Sequence, residues 1–165
     1  MIKFEFVKRI TEKCELVDGE YKNELGIIRL PERATKRAAG YDFIYNDVEN
    51  TTILPGQIKY VKTGIKAIFP DDMVLKLYNR SSNPKKKGLV VVNGVGVVDG
   101  DYYNNDGNEG HIWICLQNEG DKEFIIRKGD GFAQGIFQKF LLSDNDTRLN
   151  DKRVGGFGST TEGRE

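Results

Sequence analysis

The 165-residue chain has no excess of either charge: 25 lysines and arginines stand against 25 aspartates and glutamates. With no net field, nothing draws the whole molecule to nucleic acid or to an anionic membrane, so any anionic ligand has to be gripped locally. Cysteine is scarce: Cys14 and Cys115 lack the spacing of metal ligands, and two in a chain of this length do not make a disulfide framework. Reduced thiols and a cytoplasmic setting are the expectation. No apolar run approaches a membrane span. Lys3, Glu5, Lys8 and Arg9 break the stretch where a signal peptide needs an uninterrupted apolar core. Histidine occurs once, at His111. Without a second histidine, or a serine nucleophile in a strained elbow, no catalytic triad is readable, and His111 is expected to be packed or to sit at a rim.

What is present is alternation. Residues 2–7 alternate apolar and polar, as do Ile58 and Tyr60, then Ile65, Ala67 and Phe69, then Met73, Leu75 and Leu77. His111 to Leu116 places Ile112, Ile114 and Leu116 on one face, and Phe124–Ile126 and Phe132–Phe137 follow as further strands. About ten such runs separated by turn signals predict one all-β domain, a sandwich or barrel. Pro84 and Gly88 bracket one short helix over 83–88, as N-terminal and C-cap residues. Residues 10–24 are polar, with Asp18-Gly19 as a turn, and read as a loop or short irregular hairpin. Residues 103–110 are rich in Tyr, Asn, Asp and Gly and are expected to be an exposed loop.

Five stretches carry candidate chemistry. In Ala38-Ala39-Gly40-Tyr41-Asp42, small residues let the backbone pass close to something beside an acid, which either holds a cation through water or is simply solvated. Arg80-Ser81-Ser82 offers a guanidinium fork and two hydroxyls, a phosphate grip or a surface turn. From Asn93 to Tyr102 the chain reads as a hairpin whose Asn93-Gly94 turn takes positive φ, with Gly96 leaving backbone bare for a flat ring. In an extended chain Asp99 and Asp101 share a face and Tyr102 points away, so the pair suggests chemistry, a metal, or plain turn aspartates. Gln134 is polar in apolar company and needs a partner, backbone or ligand. The glycine-rich tail Arg153 to Thr161 cannot build an element alone. It can fold over a ligand, with glycine amides and hydroxyls around phosphates and Phe157 on a flat base. It is no Walker P-loop, lacking the lysine-serine ending and the helix.

In their order, Ala38 to Asp42, Arg80 to Ser82, Asn93 to Tyr102, Gly129-Asp130 with Ala133-Gln134, and Gly155-Gly156-Phe157-Gly158-Ser159-Thr160 resemble the five motifs of the trimeric dUTPases. The resemblance implies a distorted jelly-roll domain over 1–140 and a C-terminal arm over 141–165. It implies a homotrimer in which three copies build each site and the arm of one closes the site of another. The implied reaction is attack of water on the α-phosphate of dUTP, with Mg²⁺ on the triphosphate, giving dUMP and pyrophosphate. This limits uracil incorporation into DNA and supplies dUMP. By the same resemblance Asp99 orients and deprotonates the water, Tyr102 lies beneath the deoxyribose, and Asn93 with the backbone of Gly96 and Val98 reads uracil. Arg80, Ser81, Ser82 and Gln134 hold phosphates. Ser159, Thr160 and one of the two arm cations, Lys152 or Arg153, reach the γ-phosphate with Gly158 beside them, Phe157 caps the base, and Asp42 supports the metal through water.

The chain departs from the family pattern twice. The usual arginine of the last motif falls at Lys152, with Arg153 next, and the loop after Tyr102 is longer than the usual turn. The resemblance implies that chemistry survives this extension. Some phage-borne relatives bind repressor proteins, so the loop is also a candidate partner surface. Two other readings stay open: a dCTP deaminase-like enzyme of similar fold, and a non-catalytic nucleotide- or repressor-binding module. The former lacks its expected acidic residue after the hairpin.

Overall fold

Period-two runs can bury one face only by pairing, and in the computed structural model, which describes residues 1–147, they do so as fourteen short strands. In chain order these begin with β1 (Lys3–Phe6), the one-turn helix α1 (Lys8–Thr11), β2 (Glu15–Val17), β3 (Glu20–Asn23), β4 (Gly26–Ile27), β5 (Tyr41–Ile44) and β6 (Thr51–Ile53). There follow β7 (Ile58–Lys62), β8 (Ile65–Ile68), β9 (Met73–Tyr78), β10 (Leu89–Val91), β11 (Gly96–Val98), β12 (Trp113–Asn118), β13 (Phe124–Ile126) and β14 (Gly131–Lys139). The fold is mostly β and jelly-roll-like. Two sheets dominate: β11-β9-β14-β5 and β10-β12-β7, with β1-β8, β13-β6 and β2-β3-β4 as smaller units.

The larger sheets share one core. Phe43, Leu75, Leu77 and Ala133 from the first pack in one cluster with Val61, Leu89, Ile114 and Leu116 from the second, all nearly inaccessible to solvent. Each of these side chains larger than alanine contributes roughly 1.5–3 kcal/mol by leaving water. On β12 the residues Ile114, Leu116 and Asn118 are buried while Trp113, Cys115 and Gln117 are only half-buried, so this strand is covered chiefly on one face. Gly135 is needed in β14, because a Cβ there would lie 2.9 Å from both Leu75 Cδ1 and Phe43 Cε2.

The sequence is sharpened at three places. Residues 10–24 do form a hairpin, β2–β3, turned at Asp18 (φ 53°) and Gly19 (φ 80°), the left-handed pair of a tight primed turn. α1 precedes it and lay outside the expectation. The single helical turn Asn83–Lys87 appears as expected, ended by Gly88 at φ 59°. Buried Asn83 ties this turn down by donating from Nδ2 to the Phe132 carbonyl at 2.6 Å.

The central hairpin needs correction. β10 pairs with β12, and β11 pairs with β9, so the two arms flanking Asn93-Gly94 never pair with each other. The segment is an arch that carries the chain from one large sheet to the other. It is closed by Gly94 N–H donating to the Val91 carbonyl at 3.0 Å, with only Gly94 (φ 68°) in the left-handed region. Local turn propensity identified the bend, while the choice of strand partners was decided by burial of Leu89, Val91 and Val98 in the shared core.

Candidate active site

Because the arch crosses between sheets, its two flanking strands are both sheet edges. An edge strand presents backbone N–H and C=O groups that its own sheet does not use. Between them lies a pocket of about 260 Å³, just below the about 300–1,000 Å³ usual for small-ligand sites. Asn93, Gly96, Val98, Asp99 and Tyr102 all line it, together with Leu77, Tyr60 and Trp113. Five residues singled out in the sequence thus share one cavity. Tyr60 and Trp113 were missed as site residues; their outward positions on β7 and β12 were legible, but nothing local placed those positions beside the arch.

Two details differ from expectation. After Asp99 the chain does not stay extended. It closes a 3₁₀ turn over Gly100–Tyr102, with Tyr102 N–H donating to the Asp99 carbonyl at 3.2 Å. Residues three apart eclipse in such a turn. Asp99 and Tyr102 therefore border the same pocket and Asp101 does not, the reverse of the pairing read from a straight strand. Gly96 is also not bare for a ligand's sake alone. A Cβ there would sit 3.1 Å from Leu77 Cβ, so its missing side chain lets β11 lie against β9.

The phenol of Tyr102 is buried and points inward: its hydroxyl donates to the His111 carbonyl at 3.1 Å and accepts from Asn108 Nδ2 at 2.7 Å. His111 is packed, 4% exposed, and its Nε2 accepts the Gly64 N–H at 2.8 Å. Burial, with the nearby cations Arg9 and Lys62, lowers its pKa from 6.5 to about 4, so the ring is neutral. This settles a structural role for the one histidine.

A second group of predicted residues meets elsewhere. Asp42 on β5 stands directly opposite Gln134 on β14, and Gln134 opposite Tyr78 on β9, so register alone puts the first and fourth motifs side by side. Arg80, just past β9, reaches over them: Nη2 donates to Asp42 Oδ2 at 3.0 Å and Nη1 to the Gly131 carbonyl at 2.9 Å. Gln134 Nε2 donates to the Asn79 carbonyl at 2.8 Å. Two glycines clear the space. A Cβ on Gly131 would lie 2.7 Å from Arg80 Cζ, and one on Gly40 would overlap the Gln134 amide. The close passage read at Ala38 to Asp42 is thus onto Gln134. Ser81 is exposed and Ser82 half-buried at the start of the helical turn.

None of Asp42, Arg80, Ser81, Ser82 or Gln134 borders the arch pocket. The link between the two places is Asn79, whose Oδ1 accepts the Val91 N–H at 2.8 Å. It went unremarked in the sequence because an asparagine before Arg80 reads as part of a turn. No group of three or more His, Cys, Asp or Glu suited to a metal exists among the described residues. No helix among them is long and apolar enough to cross a membrane. The expected arm contacts of Arg153, Phe157, Gly158, Ser159 and Thr160, and the Lys152 alternative, lie outside the described residues.

Comparison with known proteins shows the family. The deoxyuridine 5'-triphosphate nucleotidohydrolase of Lactococcus lactis subsp. lactis is 47% identical over 142 residues, 86% of this chain and 92% of that protein. The crystal structure of the dUTPase from Streptococcus mutans is 44% identical, with a TM-score of 0.71 over 86% of this chain and 98% of that one. A mutant dUTPase from phage phi11 of S. aureus, which coordinates a structural Mg(II) ion, shares the fold at 18% identity and a TM-score of 0.61 over 90% of this chain and 99% of its own. The dUTPase family model matches residues 27–161, a span that holds all five motifs, and the chain belongs to the dUTPase family.

Proposed function

We propose that the chain hydrolyses dUTP to dUMP and pyrophosphate with the arch pocket holding the nucleoside. The observation that carries this reading is the convergence of Asn93, Gly96, Val98, Asp99 and Tyr102 on one cavity between two strand edges. The edge of β11 and the Asn93 amide offer donors and acceptors in the plane of a pyrimidine. A cytosine amine puts a donor where an acceptor is wanted, and a thymine methyl meets the arch. Tyr102 forms the wall under the sugar, so a ribose 2′-hydroxyl has no room. Asp99, at the mouth, takes the proton from a water that attacks the α-phosphate, and the electron pair leaves with pyrophosphate.

Arg80, Ser81, Ser82 and Gln134 bind the phosphates, since guanidinium and amide donors suit phosphate oxygens. They lie apart from the pocket in one chain, which supports a site assembled from several copies, a homotrimer, with the 141–165 arm supplying Arg153, Phe157, Gly158, Ser159 and Thr160. Mg²⁺ arrives on the triphosphate rather than in a protein cage; Asp42, already paired with Arg80, acts on it through water.

The test is pyrophosphate and monophosphate release from dUTP, UTP, dCTP and dTTP with Mg²⁺, using Asp99→Asn as control. Release from dUTP alone, lost in the variant, is the expected result. Ammonia from dCTP, or no release at all, overturns the reading. A monomer mass in solution overturns the trimer.

A further inference from the structure

The loop over 103–110 is not the free excursion that its composition suggests. Asn105 and Asn108 organise it: Asn105 Nδ2 donates to the Tyr102 carbonyl at 2.8 Å and to Asn108 Oδ1 at 2.9 Å, while its Oδ1 accepts the N–H groups of Gly107 and Asn108. Asn108 Oδ1 also accepts the Gly110 N–H at 3.1 Å. Gly110 (φ 76°) presses against Tyr102, since a Cβ there would lie 2.7 Å from the Tyr102 carbonyl oxygen. The far end is pinned to the body of the molecule. Buried Lys66 donates to Glu109 Oε1 at 2.6 Å and to Asn104 Oδ1 at 2.7 Å, and the Lys8 N–H donates to Glu109 as well. Asn104 (φ 54°) and Glu109 (φ 64°) sit in the left-handed region, a conformation that persists only where surrounding contacts enforce it.

The purpose of this bracing is visible at one atom. The Tyr102 hydroxyl donates to the His111 carbonyl and accepts from Asn108 Nδ2, so both its hydrogen-bonding capacities are engaged inside the protein. A phenol held from one side only could tilt away from a ribose 2′-hydroxyl and relieve the crowding. One fixed from both sides presents only its ring. We propose that Asn108 is a positioning residue for sugar discrimination: by holding the Tyr102 phenol it makes the wall beneath the sugar both rigid and apolar. This rests on Tyr102 lying under the deoxyribose, as argued above. The extended loop then acts within its own chain, with only Asn104, Asp106 and Gly107 well exposed.

The measurement is kcat/KM for Mg·dUTP and Mg·UTP in the wild type, Asn108→Ala, Tyr102→Phe and the double variant. Loss of one such hydrogen bond is expected to lower the dUTP:UTP ratio about tenfold in either single variant. The double variant is expected to show no further fall, because both changes break the same contact. A merely structural loop would lower the melting temperature and scale both substrates together, leaving the ratio at its wild-type value; that result, or independent multiplying effects, overturns the inference. Should Asn108→Ala fail to fold, Asn108→Asp decides, since it keeps the oxygen that accepts from Asn105 and Gly110 and loses the donor to Tyr102: an unchanged ratio overturns the proposal and a tenfold fall supports it. A wild type that turns over no dUTP, or uses UTP equally well, overturns the underlying reading instead.

Discussion

The arch pocket and the Arg80 cluster use the same sheet in different ways. At the pocket, β10 and β11 each end a sheet, and the arch between them borders one cavity. Around Arg80, side chains are brought together by the register of β5, β14 and β9 and given room by Gly40 and Gly131. The first arrangement suits a flat, weakly polar base, whose edge matches backbone spacing. The second suits phosphate, where charge and a guanidinium fork matter more than shape. On the proposed reading, their separation in one chain calls for an assembly in which the substrate meets both.

Breaking each side separately tests that division. Asp99→Asn, at the pocket mouth, is expected to lower kcat for dUTP by about a thousandfold or more while binding of a non-hydrolysable analogue persists, since only the proton acceptor is lost. Equal loss of both would place Asp99 in binding rather than chemistry. Acid should strike the pocket side next. His111, with its pKa about 4 in the fold against 6.5 when unfolded, is neutral above both values; between them the unfolded chain holds more protons, so stability falls as pH drops through that window. The shift corresponds to roughly 3 kcal/mol at most. Melting temperatures from pH 7 to pH 4.5 should fall steeply in the wild type and less in His111→Gln.

On the other side, Arg80→Ala is expected to raise KM for dUTP about 10- to 100-fold through loss of charge-assisted bonds, with uracil selectivity retained. If the site is shared between copies, co-assembled Asp99→Asn and Arg80→Ala subunits recover part of the activity that neither shows alone at low dUTP. No recovery would confine the site to one chain. The smallest effect is expected for Gly131→Ala, about fivefold in KM, because the added methyl displaces the guanidinium without removing it.

The strands and the site's residue types were readable because they rest on local signals. Leu75 and Leu77, or Ile114 and Leu116, alternate whatever they pair with, and Arg80, Asn93, Asp99 and Gln134 announce their chemistry by type. What could not be read depends on contacts far apart in sequence. Nothing near Val91 or Gly96 reveals that their strands join different sheets. Nothing near Gly131 reveals that its clearance serves Arg80, and the asparagines of the 103–110 loop look alike whether they face water or hold Tyr102. The straight-chain reading of Asp99 and Asp101 failed because a single 3₁₀ turn rotates every side chain that follows it.

The arch between the two large sheets has a mechanical side. No ladder of hydrogen bonds crosses the seam between the two strand edges, β10 and β11; the shared core and the Val91 N–H bond to Asn79 Oδ1 hold the sheets together there. On the proposed reading, a bound nucleotide that pairs with one edge and packs on the other acts as a rivet across that seam. Substrate occupancy would then be reported by the whole sandwich, as slower amide exchange in β10 and β11 and a stiffer relation between the sheets that carry the base pocket and the phosphate grip.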